Sequence, residues 1–319
     1  MNIKKILTDF SEGMSKINVN ENTAALSDSD RAAIKGNVAV IYDLTAYRSQ
    51  KGDLWNWGMH NEELDREINE RIPNYNKFDT DGFSEELYFY TLKEIPISFD
   101  DYADKTILEV GCGVGEGLNF LSRIVNCRSA IGLDLSKLAI DRANARLARG
   151  DMIKFVHGDA ENLPFENNEL DVVINIESSH TYPNLERFLA EVARVLKPGG
   201  YFSHVDIFTR ERYQQMSQLK QDIKTLRWLK ENDVSEDVKA SITRRMQPDS
   251  FLRKTHQEKR PGSLIERLLG ERTKMIMYGS SFINHQYGGF SNMAKKIFMP
   301  STKLLPVESY RYSLAVKEG

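Results

Sequence analysis

Thr106-Ile107-Leu108-Glu109-Val110-Gly111-Cys112-Gly113-Val114-Gly115 runs from a short, largely apolar stretch of strand character straight into closely spaced glycines. A buried strand that ends in such a turn and opens a helix is where an α/β sheet places a ligand, beyond the carboxyl ends of its strands. Gly111 and Gly113 let the backbone turn tightly and come close to a bound molecule that any side chain would push away. The same rhythm continues to Phe208. Short apolar runs at Ala130-Ile131-Gly132-Leu133, Ile153-Lys154-Phe155-Val156, Val172-Val173-Ile174-Asn175-Ile176 and Tyr201 to Ile207 alternate with helical stretches at Gly117 to Ile124, Lys137 to Ala148 and Leu185 to Leu196. With the first run they predict five strands, in order, in a parallel sheet covered by helices. The last helix stops at Lys197-Pro198-Gly199-Gly200.

Outward from this core, assigned to residues 104–209, the character changes. Residues 1–35 are polar, with the cluster Ser27-Asp28-Ser29-Asp30, and are expected to form a mobile leader. Residues 36–103 mix aromatics such as Tyr42, Trp55 and Trp57 with helix-forming acids, which predicts a helical lid. In Arg210 to Met246, Leu219, Ile223, Leu226 and Leu229 fall at helical spacing and predict an amphipathic helix, so residues 210–300 read as a second helical lid. Within 301–319, Tyr310, Tyr312, Leu314 and Val316 alternate and predict a terminal strand over Ser309 to Lys317.

A hydrophobic content of 40% in 319 residues is ample for a buried core. A net charge of -3 argues against a broad basic face for nucleic acid, with Arg253 to Arg260 read as a solvated local basic stretch. No run reaches the roughly 18 to 20 continuous apolar residues of a membrane-spanning helix, and the start lacks a signal core, so neither stable membrane insertion nor export is expected and the chain is placed in the cytoplasm. Cys112 and Cys127 are too few for a disulfide framework and suit a reducing compartment.

The glycine turn also says what kind of ligand it takes. A dinucleotide site would present a helix N-terminus to a pyrophosphate and would want glycine at 116, where this chain has Glu116. A carboxylate there disfavours phosphate, and Glu109, two residues ahead of Gly111, suits a cation. S-adenosylmethionine is such a ligand, with an ammonium, a sulfonium and no phosphate. Asp134 ends the second strand 25 residues after Glu109, where a carboxylate can accept both ribose hydroxyls. Asp159 follows the third strand and is placed to meet the adenine amino group.

Ile107-Leu108-Glu109-Val110-Gly111-Cys112-Gly113, Gly158-Asp159-Ala160-Glu161-Asn162-Leu163-Pro164-Phe165 and Val195-Leu196-Lys197-Pro198-Gly199-Gly200 resemble motifs of class I S-adenosylmethionine-dependent methyltransferases over about residues 104–210. The resemblance implies a Rossmann-like core with a mostly parallel sheet, an antiparallel terminal strand and a helical lid. By the same correspondence, Glu109, Gly111 and Gly113 would hold the amino-acid part of the cofactor, Asp134 and Leu135 the ribose and adenine, and Asp159 and Ala160 the adenine ring. Asn175 would lie beside the methionine portion, and Tyr42 belongs to the segment placed over the cofactor. More narrowly, Asp171 to His180 and Phe188 to Val192 resemble phthiotriol/phenolphthiotriol dimycocerosate methyltransferases, which methylate a lipid hydroxyl. Tyr42-Asp43-Leu44 and Trp55-Asn56-Trp57-Gly58-Met59-His60 are similar to methyltransferases of microcystin-type polyketide-peptide pathways.

Methyl transfer to an alcohol needs alignment, exclusion of water and a base for the hydroxyl proton. His180, just past the fourth strand in Glu177-Ser178-Ser179-His180-Thr181-Tyr182-Pro183, is the candidate base. Alternation puts His204 and Asp206 on one face of the fifth strand, so Asp206 can orient His180 and His204 can add a polar contact. No metal is assigned. The resulting expectation is O-methylation of a hydroxyl on a polyketide or polyketide-peptide product, either free as a small molecule or carrier-tethered, by a chain that could form a homodimer. The alternative is C-methylation of a sterol- or quinone-like lipid, in which His180 would stabilise a cation or serve structure. A nucleic-acid methyltransferase is disfavoured because Asn175-Ile176-Glu177-Ser178 lacks the Asn/Asp-Pro-Pro-aromatic loop that holds a base amino group.

Overall fold

Three helices precede the sheet: α1 Asp28–Arg48, α2 Glu62–Arg71 and α3 Phe83–Lys93. They come from a computed structural model that describes residues 26–49, 54–73, 75, 80–247, 249–251, 282–283 and 307–319. The polar cluster at the start of α1 is a helix N-terminus, which corrects the leader boundary expected at residue 35. Ser27 Oγ accepts the Asp30 N–H at 3.2 Å, and Asp28 and Asp30 sit in the first turn, where carboxylates oppose the helix dipole. Residues 1–25 of the expected leader lie outside the described residues.

Then follow β1 Thr106–Val110, α4 Glu116–Ile124, β2 Ser129–Asp134, α5 Lys137–Leu147, β3 Ile153–His157, β4 Leu170–Ile176, α6 Leu185–Val195 and β5 Leu196–Phe208. The five strands and three helices expected in this stretch are all present. After them come α7 Arg210–Asp222, β6 Leu226–Asp233, α8 Ser235–Met246 and β7 Ser309–Lys317. The strands make one sheet in the order β3-β2-β1-β4-β5-β7-β6. β1 to β5 pair in parallel and β7 runs antiparallel between β5 and β6, as in a Rossmann-like methyltransferase core. Every residue of β1 is buried, as a central parallel strand covered on both faces must be.

Side-chain alternation splits the core in two. Ile107 of β1 and Val172 and Ile174 of β4 face one cluster with Leu87, Phe89 and Leu92 of α3, while Leu108, Val110 and Val173 face the other with Phe188, Leu189 and Val192 of α6. The N-terminal helices α2 and α3 therefore share the first face of the sheet.

The expected helix over Arg210 to Met246 is corrected by β6. Leu226 and Trp228 face inward as strand residues, and a bulge at Leu229 leaves that side chain 40% exposed. The helical spacing of the four apolar residues is real for Leu219 and for Ile223 at the end of α7; Leu226 and Trp228 answer to the open edge of β7, a partner distant in sequence. Arg253 to Arg260 and residues 261–281, 284–300 and 301–306 of the second lid and terminal segment lie outside the described residues. No helix among the described residues is long and apolar enough to cross a membrane.

Candidate functional site

Strand order reverses between β1 and β4, and at their carboxyl ends the chain splits to open a crevice. A cleft enclosing about 850 Å³ of space, part of it open solvent, occupies this point. Gly111, Gly113, Asp134, Leu135, Asp159, Ala160 and Tyr42 of the expected cofactor residues line it. Gly111 turns with φ +79° as its N–H donates to Leu133 O at 2.7 Å, and a Cβ there would sit 2.0 Å from Ser178 Oγ. The glycine is thus required by both conformation and space.

Asp134 holds the turn while facing the cleft. Its two oxygens accept the N–H groups of Gly113 and Ser136, each at 2.8 Å, which leaves lone pairs for two further donors. Asp159 is held from a direction the sequence did not reveal: Lys35 of α1 donates to Asp159 Oδ2 at 2.7 Å and to Glu161 Oε2 at 2.5 Å. α1 is fastened at its other end too, where Arg142 donates to the carbonyls of Ala46, Tyr47 and Ser49. Tyr42 stacks on Trp55 with ring centroids 5.9 Å apart, and Trp55 lies against Gly113. Helix and indole together roof the cleft.

Glu109 and Asn175 are fully buried and stand behind the lining instead of in it, unlike the direct holding role expected of Glu109. Tyr88 donates to Glu109 Oε1 at 2.6 Å, leaving Oε2 buried with no partner. Asn175 donates to Val110 O and to the Tyr182 hydroxyl, and its Oδ1 is likewise unpartnered. Burial pushes the Glu109 carboxyl up to about 8. Both acceptors without donors lie behind the cleft wall, next to the glycine turn.

The sequence pairing of His180 with Asp206 is present: Nδ1 lies 2.7 Å from Asp206 Oδ1, and the His180 N–H donates to Oδ2 at 2.9 Å. The Asp206 carboxylate also accepts from Ser179 Oγ at 2.6 Å and from the Ile207 N–H at 2.8 Å. Although burial opposes it, the neighbouring His180 and these donors hold Asp206 down at about 2. The His180 side chain is 23% exposed and so remains reachable, with Nε2 turned away from the carboxylate pairing. It flanks the cleft between lining residues Ser178 and Thr181. His204 belongs elsewhere. It is wholly buried against Phe202, takes a 2.8 Å hydrogen bond with Ser179 Oγ, and is driven by burial down to about 4, which makes it a neutral support for Ser179 and not a group at the cleft.

Glu177 was not singled out by sequence. It lines the cleft with a left-handed φ of +46°, rare for a non-glycine residue and a mark of local strain. Its Oε2 accepts the Trp57 N–H at 2.7 Å and the Tyr310 hydroxyl at 2.6 Å, joining β4, the aromatic segment and β7; burial pushes it up to about 7. Trp57 itself packs on Tyr310 and Phe282 and does not line the cleft. Its carbonyl is pinned by Ser241 and Arg245 of α8.

Comparison with known proteins agrees with this geometry. Residues 108–204 match the model of the methyltransferase domain family. That stretch is a methyltransferase domain. It contains the glycine turn, Asp134, Asp159 and His180, whereas Asp206, β6 and β7 lie past its end. The chain is similar to a phthiotriol/phenolphthiotriol dimycocerosates methyltransferase of Mycobacterium leprae, 42% identical over 158 residues covering 46% of this chain and 56% of that protein. It is also similar to a fatty-acid O-methyltransferase of Mycolicibacterium smegmatis, 41% identical over 142 residues, 44% of this chain and 49% of that protein. The chain thus spans about half the length of these curated relatives.

Among solved structures, the (4+2) cyclase SpnF superposes with a TM-score of 0.58 at 16% identity, covering 89% of this chain and 96% of its own. Geranyl diphosphate C-methyltransferase of Streptomyces coelicolor A3(2), in complex with Mg2+, geranyl diphosphate and S-adenosyl-L-homocysteine, gives 0.56 at 14% identity, covering 89% and 97%. A cyclase and a methyltransferase sharing this architecture leave the reaction to be argued from the site.

Proposed function

We propose that the chain is an S-adenosylmethionine-dependent O-methyltransferase whose acceptor is a hydroxyl on a lipid, polyketide or polyketide-peptide molecule. The observation that carries the reading is the His180–Asp206 pair beside a cleft lined by carboxylates and glycine backbone, with unpartnered acceptors buried behind it. Relatives named for lipid methylation, one of them an O-methyltransferase, support the acceptor class.

When bound, S-adenosylmethionine supplies an electrophilic methyl group on a sulfonium. Glu109 and Asn175 would support its amino-acid end from behind the lining, Gly111 and Gly113 would give it room, Asp134 and Leu135 would take the ribose and adenine, and Asp159 and Ala160 the adenine edge. Tyr42 and Trp55 shield the site from water. His180, its Nδ1–H donated to Asp206, would accept the hydroxyl proton at Nε2 as the acceptor oxygen takes the methyl group.

The base works only when neutral. Burial lowers the basicity of His180, but Asp206 outweighs it and raises the imidazole above its ordinary 6.5. Below that raised value the ring is charged and cannot take a proton, so kcat/KM is expected to climb tenfold per pH unit until pH passes a value above 6.5, then level off. A profile already flat through pH 6 would contradict His180 as base. Lys35→Met, which frees α1 from Asp159 and Glu161, is expected to speed cofactor dissociation by about tenfold, ~1.4 kcal/mol, in stopped-flow displacement.

The reading as a whole is tested by calorimetry with S-adenosylmethionine, followed by transfer assays on hydroxylated long-chain lipids and polyketides beside sterols and quinones. A methyl ether in the product is expected. Methylation at carbon would replace the acceptor assignment, and absence of cofactor binding would overturn the function.

A further inference from the structure

Arg212, in the first turn of α7, is 6% exposed, yet among the described residues no carboxylate lies within ion-pair distance of it. A buried guanidinium in that position is costly unless its donors are used, and burial brings it down to about 10. Its Nη2 donates to two backbone carbonyls, Ser179 O and Tyr182 O, each at 2.9 Å, and its Nη1 to Gln215 Oε1 at 2.9 Å. Those carbonyls stand on either side of His180 and Thr181. The short 3-10 turn Ser179–Thr181 is held by Asp206, which accepts from Ser179 Oγ and the His180 N–H, and by this clamp on its flanking carbonyls, and the two together fix the angle at which His180 meets Asp206.

We propose that Arg212 is a positioning residue for His180, clamping the carbonyls that bracket it and setting a permanent positive charge against the Asp206 carboxylate. The inference rests on His180 being the base. The groups that bear on His180 are Asp206 of β5, Glu177 at the end of β4 and Arg212 of α7, with His204 beside Asp206. The two carboxylates favour the charged imidazole, and the Arg212 cation opposes them. Without it, more of His180 would be protonated at rest and less could accept a proton.

The test uses the full chain with Arg212→Met and Arg212→Lys. In the methionine variant, the His180 imidazole, followed by NMR without cofactor, is expected to titrate about one pH unit higher, and the acidic limb of kcat/KM to move with it, lowering the rate at pH 6.5 about tenfold. Arg212→Lys restores the charge and is expected to return the titration to within a few tenths of a pH unit of the wild type, while kcat stays reduced because one ammonium does not reproduce the planar fork on two carbonyls. An unchanged titration in Arg212→Met, or no recovery in Arg212→Lys, overturns the proposal. Should the methionine variant not fold, Arg212→Gln, which keeps a donor and removes the charge, carries the same expectation. A titration that moves while the rate profile stays in place would sink the base assignment and leave the effect of Arg212 on His180 standing.

Discussion

His180→Ala is expected to lower methyl transfer by about 10²- to 10⁴-fold while changing S-adenosylmethionine affinity by less than about threefold. The separation follows from placement: His180 flanks the cleft but makes none of its lining, so the cofactor loses no contact. Truncation leaves Asp206 well supplied with donors, because the His180 main-chain N–H, Ser179 Oγ and the Ile207 N–H all remain. The loop should therefore hold its shape. With the imidazole gone, the rise of kcat/KM with pH should vanish as well. Calorimetry on the variant and a product assay across pH 5.5 to 9 check both halves, about threefold being the margin that separates a binding effect from a chemical one. Transfer at the wild-type rate would remove His180 from the reaction.

Gly111→Ala is expected to weaken cofactor binding by about 100-fold or more, for two separable reasons. A φ of +79° costs an alanine ~1–2 kcal/mol, and its Cβ would stand 2.0 Å from Ser178 Oγ and 2.6 Å from Ser178 Cβ, a clash that only a shift of the β4 loop can relieve. That loop carries Glu177 and His180, so displacement should spread to the acceptor side. The double variant Gly111→Ala with Ser178→Gly keeps the backbone penalty and removes the clash, and is expected to recover about tenfold of the lost affinity. If it recovers nothing, the conformational requirement alone explains the glycine; if the single variant binds normally, the turn does not have the role assigned to it.

The legible part of this protein is the part written in neighbouring residues. β1 to β5 and the helices between them were readable because apolar alternation, glycine turns and helix stops act over a few positions. The cleft residues Gly111, Gly113, Asp134 and Asp159 followed, since each sits at a strand end that the same pattern locates. The His180–Asp206 pair was within reach because both residues fall at carboxyl ends of adjacent parallel strands. His204 shares both the face and the full burial of Asp206; what separates them is the neighbour each meets, Ser179 and Phe202 for the one and His180 for the other, and alternation carries no information about what covers a strand face.

Other features depended on residues far apart in sequence. Lys35 reaches Asp159 across 124 positions and Tyr310 reaches Glu177 across 133, so nothing in the local pattern of either partner announces the bond. The polar opening of α1 looked like leader material because its stability comes from packing on the cleft and from Arg142, not from its composition. β6 carried a helical period and became a strand because β7 offers an open edge, and edge pairing outweighs weak local preference. By itself the sequence determined the parallel core, its glycine turn and the identity of the groups at the strand ends, because these are set by local periodicity and backbone conformation. Only the tertiary structure decided which helix roofs the cleft, which carboxylates remain unpaired and which cation stands by His180, because those are matters of which distant surfaces meet and exclude water.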